Sequence, residues 1–275
     1  GITMQRQPNP DVTMAVYNME DPVVGGYTPE KVALRRAINL AYDVEREIRI
    51  VRRGQAVPAE AGIPPGTYGY DTRYRSENSL HDLARAKALL DIHGYVDRDG
   101  DGWRERPDGQ PLAVEMSSPP DQVYRQLNEV RKKSMDALGV KLVFRIGAWA
   151  EQLKAARAGK FQMWQVGSSA GSPDGQPALE RSYGPAKGGA NLARFELAAF
   201  DAVYERMIGM PDGPERQALF TQANNLIAAW APYKFNVHRI MTDLAQPWLL
   251  GYRRPTFSQE FWHYVDIDPA AQPAR

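Results

Sequence analysis

The segment Lys31-Val-Ala-Leu-Arg-Arg-Ala-Ile-Asn-Leu-Ala-Tyr-Asp43 contains the pattern that decides the fold of this chain. Leu34 and Ile38 begin an apolar series at helical spacing that continues to Val51, which is typical of a helix with one buried face. The preceding Thr28-Pro29 pair supplies a helix N-cap and a proline at the tolerated first position. The sequence therefore predicts a long amphipathic helix in this region.

Strand and helix patterns alternate on both sides of this helix. Val12, Met14 and Val16 recur at every second position, which predicts a half-buried strand over 12–18. Further strands are predicted over 140–146, 161–166 and 233–243, a hairpin over 103–116, and helices over 80–93, 120–138, 149–158, 196–207 and 214–231. This order of elements predicts the α/β class, with a mixed sheet flanked by helices.

Composition excludes several functional classes. The 275 residues are 43% hydrophobic and 24% charged, enough for one large domain or two small ones, and the net charge is +1. Nucleic acids and anionic membranes favour partners with a basic excess, so neither is expected to bind here. The chain has no cysteine, which excludes disulfides and thiolate metal sites. No apolar run approaches the roughly 20 residues of a membrane span.

A serine motif offers one enzymatic interpretation. Gly167-Ser-Ser169-Ala-Gly171 matches the G-x-S-x-G pattern of a nucleophile elbow, in which a sharp turn exposes a serine hydroxyl. An elbow needs a helix directly after it, and the prolines and glycine of Ser172-Pro-Asp-Gly-Gln-Pro177 oppose one. Partners in chain order would be Asp201 or Asp243, followed by His263. A serine hydrolase built on Ser169 is therefore the alternative function, and a flexible loop at a strand end is the simpler interpretation.

An acidic segment offers a metal-binding interpretation. Residues 97–108 place carboxylates at positions 1, 3, 5, 9 and 12 of an EF-hand-like loop, with Gly102 at the turn position. Position 12 is an aspartate, shorter than the usual glutamate, and a strand is predicted after it. The alternative is an acidic turn without a metal. The candidate ligands of a structural Ca²⁺ are Asp97, Asp99, Asp101, Glu105 and Asp108. No other cofactor is predicted.

The segment 166–174 is the candidate ligand site. It follows a predicted strand, and open α/β sheets bind ligands at the carboxyl ends of their strands. Its small polar residues leave room for a ligand and offer hydroxyl and backbone hydrogen bonds. The predicted ligand-binding residues are Asn18, Trp164, Ser168, Ser169, Ser172 and Asp174.

Several segments, in order, resemble the family 5 solute-binding proteins of ABC transporters. Leu34-Arg-Arg-Ala-Ile38 resembles a helix midway through those proteins. Residues 82–95, which end in Gly94-Tyr95, resemble the family pattern A-K-x-L-L-x-x-A-G-Y. Ala229-Trp-Ala-Pro232 resembles the stretch that precedes a strand in the same family. Because several motifs match in the family's order, the chain resembles the C-terminal half of such a protein.

The resemblance implies a fold and a function. The fold would be a type II periplasmic binding protein lobe, with a compact α/β body over about 26–240 and crossover segments over 1–25 and 241–275. The protein would be a periplasmic, non-enzymatic receptor that closes two lobes around a peptide or similar polar solute. Its partner would be an ABC permease in the inner membrane. An interaction domain without a small ligand is a further alternative.

One departure from the family limits the expected ligand. Peptide-binding members carry Trp-x-x-Asp-x-x-x-Pro at this point, and the aspartate pairs with the peptide α-amine. Alignment on Pro173 puts Val166 at the tryptophan position and Ser169 at the aspartate position. Because a serine cannot neutralise an ammonium group, a modified peptide, a blocked amine or an uncharged solute is expected.

Overall fold

A seven-stranded mixed sheet organises the chain in the computed structural model, which describes residues 1–258 and 260–272. The strands are β1 (Thr3–Pro8), β2 (Asp11–Tyr17), β3 (Ala56–Pro58), β4 (Ala113–Ser118), β5 (Lys141–Ile146), β6 (Met163–Ser169), β7 (Tyr233–Ala245), β8 (Leu249–Leu250) and β9 (Asp266–Ile267). The helices are α1 (Pro29–Ala41), α2 (Val44–Arg46), α3 (Leu83–Ile92), α4 (Gln122–Leu138), α5 (Trp149–Arg157), α6 (Gln176–Leu179), α7 (Ala198–Met207) and α8 (Pro214–Trp230).

The strand order of the main sheet is β1-β7-β2-β6-β4-β5, with β3 also paired to β7. Strands β4, β5 and β6 run parallel, whereas β2 is antiparallel to both β6 and β7. Strands β8 and β9 form a separate two-stranded pair. The predicted α/β class and mixed sheet are therefore confirmed, and helices cover both faces. Among the described residues, no helix combines the length and apolarity that crossing a bilayer requires.

Strand β2 is buried on both faces, so the predicted half-buried strand is wrong. Val12, Met14 and Val16 pack into one apolar cluster with α7 and α8. Ala15 and Tyr17 pack into a second cluster with α1, α3 and α4. The alternation of the sequence separates two cores here, rather than a core from solvent. The compact body therefore begins at β2, earlier than the boundary predicted at residue 26.

Several boundaries differ from the predictions. The helix predicted to reach Val51 ends at Ala41, because Tyr42 is extended and Asp43 caps the short α2 through the Arg46 amide. Strand β6 continues three residues beyond its predicted end at 166, where it pairs with the start of β2. The hairpin predicted over 103–116 reduces to a single Glu105–Pro111 bridge.

The carboxyl ends of three strands share one edge of the sheet. β4 ends at Ser118, β5 at Ile146 and β6 at Ser169, and Asp11 at the start of β2 lies opposite Ser169. Beyond this edge, β7 continues to Ala245 paired with β1, away from the helical layers. The predicted crossover segment 241–275 contains the end of β7; residues 259 and 273–275 within it lie outside the described residues.

The opposite edge of the sheet is closed by the buried guanidinium of Arg35 on α1. This guanidinium donates to the carbonyls of Trp230 and Ala231 at the end of α8, and to those of Val24 and Gly26 after β2. Burial lowers the pKa of Arg35 to about 10. Because α1 and α8 lie on opposite faces of the sheet, this single side chain connects the two helical layers.

We expect Arg35→Ala to lower the free energy of unfolding by about 3 kcal/mol or more, because it leaves several buried carbonyls without donors. Arg35→Lys should recover part of this loss, since an ammonium lacks the planar fork that reaches both loops. Arg36→Ala is the matched control. It removes an exposed ion pair with Glu77, which is worth at most about 1 kcal/mol. Urea unfolding measures all three variants, and equal losses for Arg35→Ala and Arg36→Ala would contradict this account.

Candidate ligand-binding face

An open cavity of about 540 Å³ lies at the carboxyl edge of the sheet. Gly167, Ser168 and Ser169 at the end of β6 form one wall. The N-terminal turn of α4 contributes Asp121 and Tyr124. The other lining residues are Thr13, Arg52, Val123, Leu127, Trp149 and Arg239. The wall is therefore built from strand ends and a helix N-terminus, the place where open α/β sheets bind small molecules.

Ser168 and Ser169 are the two predicted ligand-binding residues that line this cavity. Both belong to β6, so their backbones are fixed by pairing with Val12 and Asp11 rather than free in a loop. Ser169 is exposed, and the Ser168 hydroxyl accepts a hydrogen bond from Arg181. The two hydroxyls point to opposite faces of the strand because side chains alternate along it.

Ser172 and Asp174 lie beyond the end of β6 and do not line the cavity. The Asp174 carboxylate accepts from the Gln176 amide at 2.9 Å and forms an ion pair with Arg216 of α8 at 2.7 Å. This carboxylate therefore has a structural partner and is not available to replace the missing aspartate at Ser169.

Asn18 lies at the opposite edge of the sheet from the cavity. Its side-chain amide donates to the carbonyls of Gly159 and Phe161 at 2.9 Å, and its oxygen accepts from the Glu20 amide at 3.1 Å. These bonds fix the turn between α5 and β6. The structure does not place Asn18 at the cavity, because its side chain is buried, hydrogen-bonded within the chain and remote from the carboxyl edge.

Trp164 supports the cavity from behind and does not line it. It is fully buried, and its Nε1 donates to Gln152 Oε1 at 2.9 Å. Its ring lies 4.9 Å from the ring of Trp149, which is 47% exposed and faces the cavity. Trp149 is thus an aromatic surface that a ligand can reach. Its position at the start of a helix after strand β5 was the sequence signal for this role.

Two arginines at the cavity were missed because they are distant in sequence from the end of β6 that they face. Arg239 on β7 pairs with the buried Asp11 at 2.8 Å, and Arg52 pairs with the buried Glu47 at 3.0 Å. Glu47 also accepts from the Tyr42 hydroxyl at 2.7 Å. Each guanidinium is held by a buried carboxylate, so both side chains are positioned before any ligand arrives.

A buried polar layer lies beneath these arginines. The Arg131 guanidinium stacks on the Tyr42 ring at 3.8 Å and donates to Gln165 of β6. Lys234 on β7 is fully buried and donates to the Asn78 carbonyl. Burial, with a smaller contribution from Arg131, lowers the pKa of Lys234 to about 7. Burial therefore disfavours the charged form of Lys234 in this layer.

Comparison with known proteins identifies the family. The family model described as "Bacterial extracellular solute-binding proteins, family 5 Middle" matches residues 1–190. The chain belongs to this family. The resemblance in the motifs around Leu34–Ile38 and Gly94-Tyr95 is thereby confirmed, and the family consists of extracellular proteins that bind solutes.

Relatives within the family cover nearly the whole chain. The heme-binding protein A of Haemophilus influenzae is 27% identical over 241 residues, 87% of this chain and 42% of the relative. The dipeptide-binding protein of Escherichia coli is 23% identical over 270 residues, 97% of this chain and 48% of the relative. The chain spans about half the length of the curated relatives it matches.

Solved structures share the fold. The oligopeptide-binding protein AppA of Bacillus subtilis superposes with a TM-score of 0.82 at 17% identity, over 97% of this chain and 52% of that one. HbpA2 of Haemophilus parasuis gives 0.81 at 20% identity, over 97% of this chain and 50% of that one. The type II binding-protein lobe is therefore confirmed as the fold of this family member.

The structure contradicts the nucleophile elbow. Ser169 lies in an extended strand opposite Asp11, and the next helix begins only at Gln176. The two candidate acids have other partners. Asp201 accepts from the Gly184 amide at 2.8 Å, and Asp243 pairs with Arg254 at 2.5 Å. The predicted His263 lies exposed in the C-terminal segment. The sharp strand-to-helix turn that defines an elbow is absent at Ser169.

The acidic loop brings four of its five predicted metal ligands together. Carboxylate oxygens of Asp97, Asp99, Asp101 and Glu105 lie within 4.8 Å of one another, whereas Asp108 falls outside this group and pairs with Arg106. The same carboxylates accept backbone amides within the loop, which stabilises the turn without a metal. Calcium binding stays a prediction of the sequence, now with four candidate ligands.

We expect stability to rise from pH 7 to pH 9 because of Lys234. The unfolded chain keeps this proton up to a pKa near 10.4, whereas the folded state releases it near 7. The unfolded state therefore binds more protons in this window, and the free energy of unfolding increases by up to about 1.4 kcal/mol per pH unit. Lys234→Met should flatten the profile measured by urea unfolding. Parallel profiles for the two proteins would contradict the burial of a neutral amine.

If the acidic loop binds calcium, terbium should report it through Trp103 at loop position 7. We expect sensitised terbium luminescence that calcium displaces at about 0.1–1 mM, the range of weak extracellular sites. The double variant Asp97→Asn, Asp101→Asn should abolish the signal. Asp108→Asn is the matched control and should leave it unchanged, because this carboxylate lies outside the cluster. Absence of luminescence in the unmodified protein would reject the metal site.

Proposed function

We propose that these residues form one lobe of a two-lobed receptor that delivers a peptide or similar polar solute to an ABC permease. The observation that carries the proposal is the open cavity at the carboxyl edge of the sheet, beside the paired strands β1 and β7. A second lobe attached through these strands would face the cavity and close over it. The relatives include dipeptide-, di/tripeptide- and heme-binding proteins, which supports a small polar solute of this kind.

Strands β1 and β7 extend beyond the compact body and carry exposed apolar side chains that a second lobe would cover. Met4 on β1 and Leu244 on β7 are register partners, and both are more than half exposed. Ile2 beside them is exposed as well. Clustered exposed apolar side chains mark surfaces that another element covers. These side chains therefore fit crossover strands that continue into, or pack against, a second lobe.

The chemistry of the cavity suits binding rather than catalysis. Trp149 offers an aromatic surface, Ser168 and Ser169 offer hydroxyls, and the guanidinium groups of Arg52 and Arg239 stand at fixed positions. A few fixed polar groups around an aromatic surface are the usual composition of a small-molecule site. We infer that the protein is non-enzymatic and works in the periplasm, where a binding protein meets the permease of the inner membrane.

The test compares the complete gene product with residues 1–275 alone. Native mass spectrometry of the complete protein from its host should show a co-purified small molecule, and calorimetry should then give its affinity. Residues 1–275 alone should bind this molecule at least about a hundredfold more weakly, because half of the enclosing surface is absent. Equal affinity of the two proteins would contradict the two-lobed site.

Trp149→Ala in the complete protein should weaken binding about tenfold, since an aromatic contact is worth about 1 kcal/mol beyond its buried area. Trp103→Ala is the matched control, because Trp103 lies in the acidic loop and does not line the cavity. If Trp149→Ala binds the co-purified molecule as the unmodified protein does, the cavity is not the binding site.

A further inference from the structure

The hydrogen bond between Arg181 and Ser168 determines whether the Ser168 hydroxyl acts as a donor or an acceptor toward a ligand. A guanidinium can only donate, so the Ser168 oxygen is the acceptor of this bond. The Ser168 hydroxyl proton is then free to point elsewhere, and Ser168 lines the cavity. Where the cavity passes the end of β6, Ser168 can therefore offer a donor to a ligand, with the Arg181 charge behind it. Such a donor favours an anionic acceptor and disfavours an ammonium group.

The charge on Arg181 has no acidic partner among the described residues. Its Nη1 is buried without a hydrogen-bond acceptor in that part of the chain, and the Tyr233 hydroxyl donates to its backbone carbonyl, which fixes the residue. Burial lowers the pKa of Arg181. A partly buried cation without a counter-ion is costly, and an anion placed nearby would offset this cost.

The other charges around the cavity differ in this respect. Arg52 and Arg239 are each neutralised by a buried carboxylate. Asp121, at the start of α4, is an exposed carboxylate on the wall opposite β6. The cavity is thus polarised, with an unneutralised cation behind the β6 wall and a carboxylate on the α4 wall.

We propose that this lobe receives the acidic end of its solute, with a carboxylate of the ligand accepting the hydrogen bond of the Ser168 hydroxyl. Arg181 acts through Ser168 as a positioning residue that orients the hydroxyl and supplies the charge. The ligand class is a short peptide or acylated amino acid with a free carboxylate, and its amino end can be blocked. This inference rests on the proposed function and names the end of the solute that β6 holds.

The experiment uses the complete protein and four pools of mixed-sequence di- and tripeptides, analysed by native mass spectrometry and calorimetry. The pools combine a free or amidated carboxyl end with a free or acetylated amino end. We expect the free acids to bind about tenfold to a hundredfold more tightly than the amides, the range of a hydrogen bond to a charged group. Acetylation of the amino end should have a smaller effect.

Variants of Ser168 and Arg181 test whether these two residues cause the preference for a free carboxylate. Ser168→Ala and Arg181→Met should bring the ratio of acid to amide affinity close to one, and Arg181→Lys should retain part of it because the charge is kept. Ser134→Ala, on α4 away from the cavity, is the matched control and should keep the full ratio. Since the ratio compares two ligands on one protein, a general loss of stability does not change it.

The outcomes separate this inference from the proposed function. If no pool binds the unmodified complete protein, the proposal of a peptide receptor fails, and this inference fails with it. If peptides bind but amides bind as tightly as acids, the receptor stands and the assignment of the acidic end is wrong. The same conclusion follows if Ser168→Ala and Arg181→Met both keep the preference for acids.

Discussion

Arg35 connects the two helical layers of this lobe through hydrogen bonds to four backbone carbonyls. Two of these carbonyls belong to the C-terminal end of α8, where the unsatisfied groups of a helix and its dipole both favour a cation. Asn18 closes the same edge of the sheet by bonding the turn before β6. Internal hydrogen bonds join the backbone at this edge, whereas the candidate ligand cavity lies at the carboxyl edge.

The open edge combines rigid backbone with preset polar groups. Ser168 and Ser169 are held in β6 by the register with β2, and Arg52 and Arg239 are held by buried carboxylates. Trp149 rests on Trp164, whose indole nitrogen is bonded to Gln152. A site whose side chains are already fixed loses less conformational entropy when a ligand binds. This arrangement agrees with membership of a solute-binding family.

Much of the fold could be predicted from local patterns, and the failures have specific physical reasons. The helices that became α4, α5, α7 and α8 were predicted within a few residues, because their apolar spacing is a local signal and because Gly139 and Gly159 mark the ends of α4 and α5. Strand β2 was predicted at the right place with the wrong exposure, because alternation cannot distinguish a strand between core and solvent from one between two different cores. The end of β6 was placed too early, since Gly167 and the two serines have a low intrinsic strand preference, and pairing with β2 overrides it.

The sequence by itself determined the α/β class and the family, and it selected the segment that contains the serine pair, because these depend on periodicity, motif order and residue type within short segments. Only the tertiary structure decided which polar groups share the site. Asn18 lies at the opposite edge of the sheet, and Asp174 forms an ion pair with Arg216. Arg52 and Arg239 line the cavity at the end of β6, and Arg181 bonds Ser168 of the same strand. These groups lie far apart along the chain. Whether each charge is neutralised depends on the partner that it contacts in the folded structure. Arg52 and Arg239 are each neutralised by a buried carboxylate, whereas the guanidinium behind Ser168 has no acidic partner among the described residues. A local sequence pattern does not encode that difference.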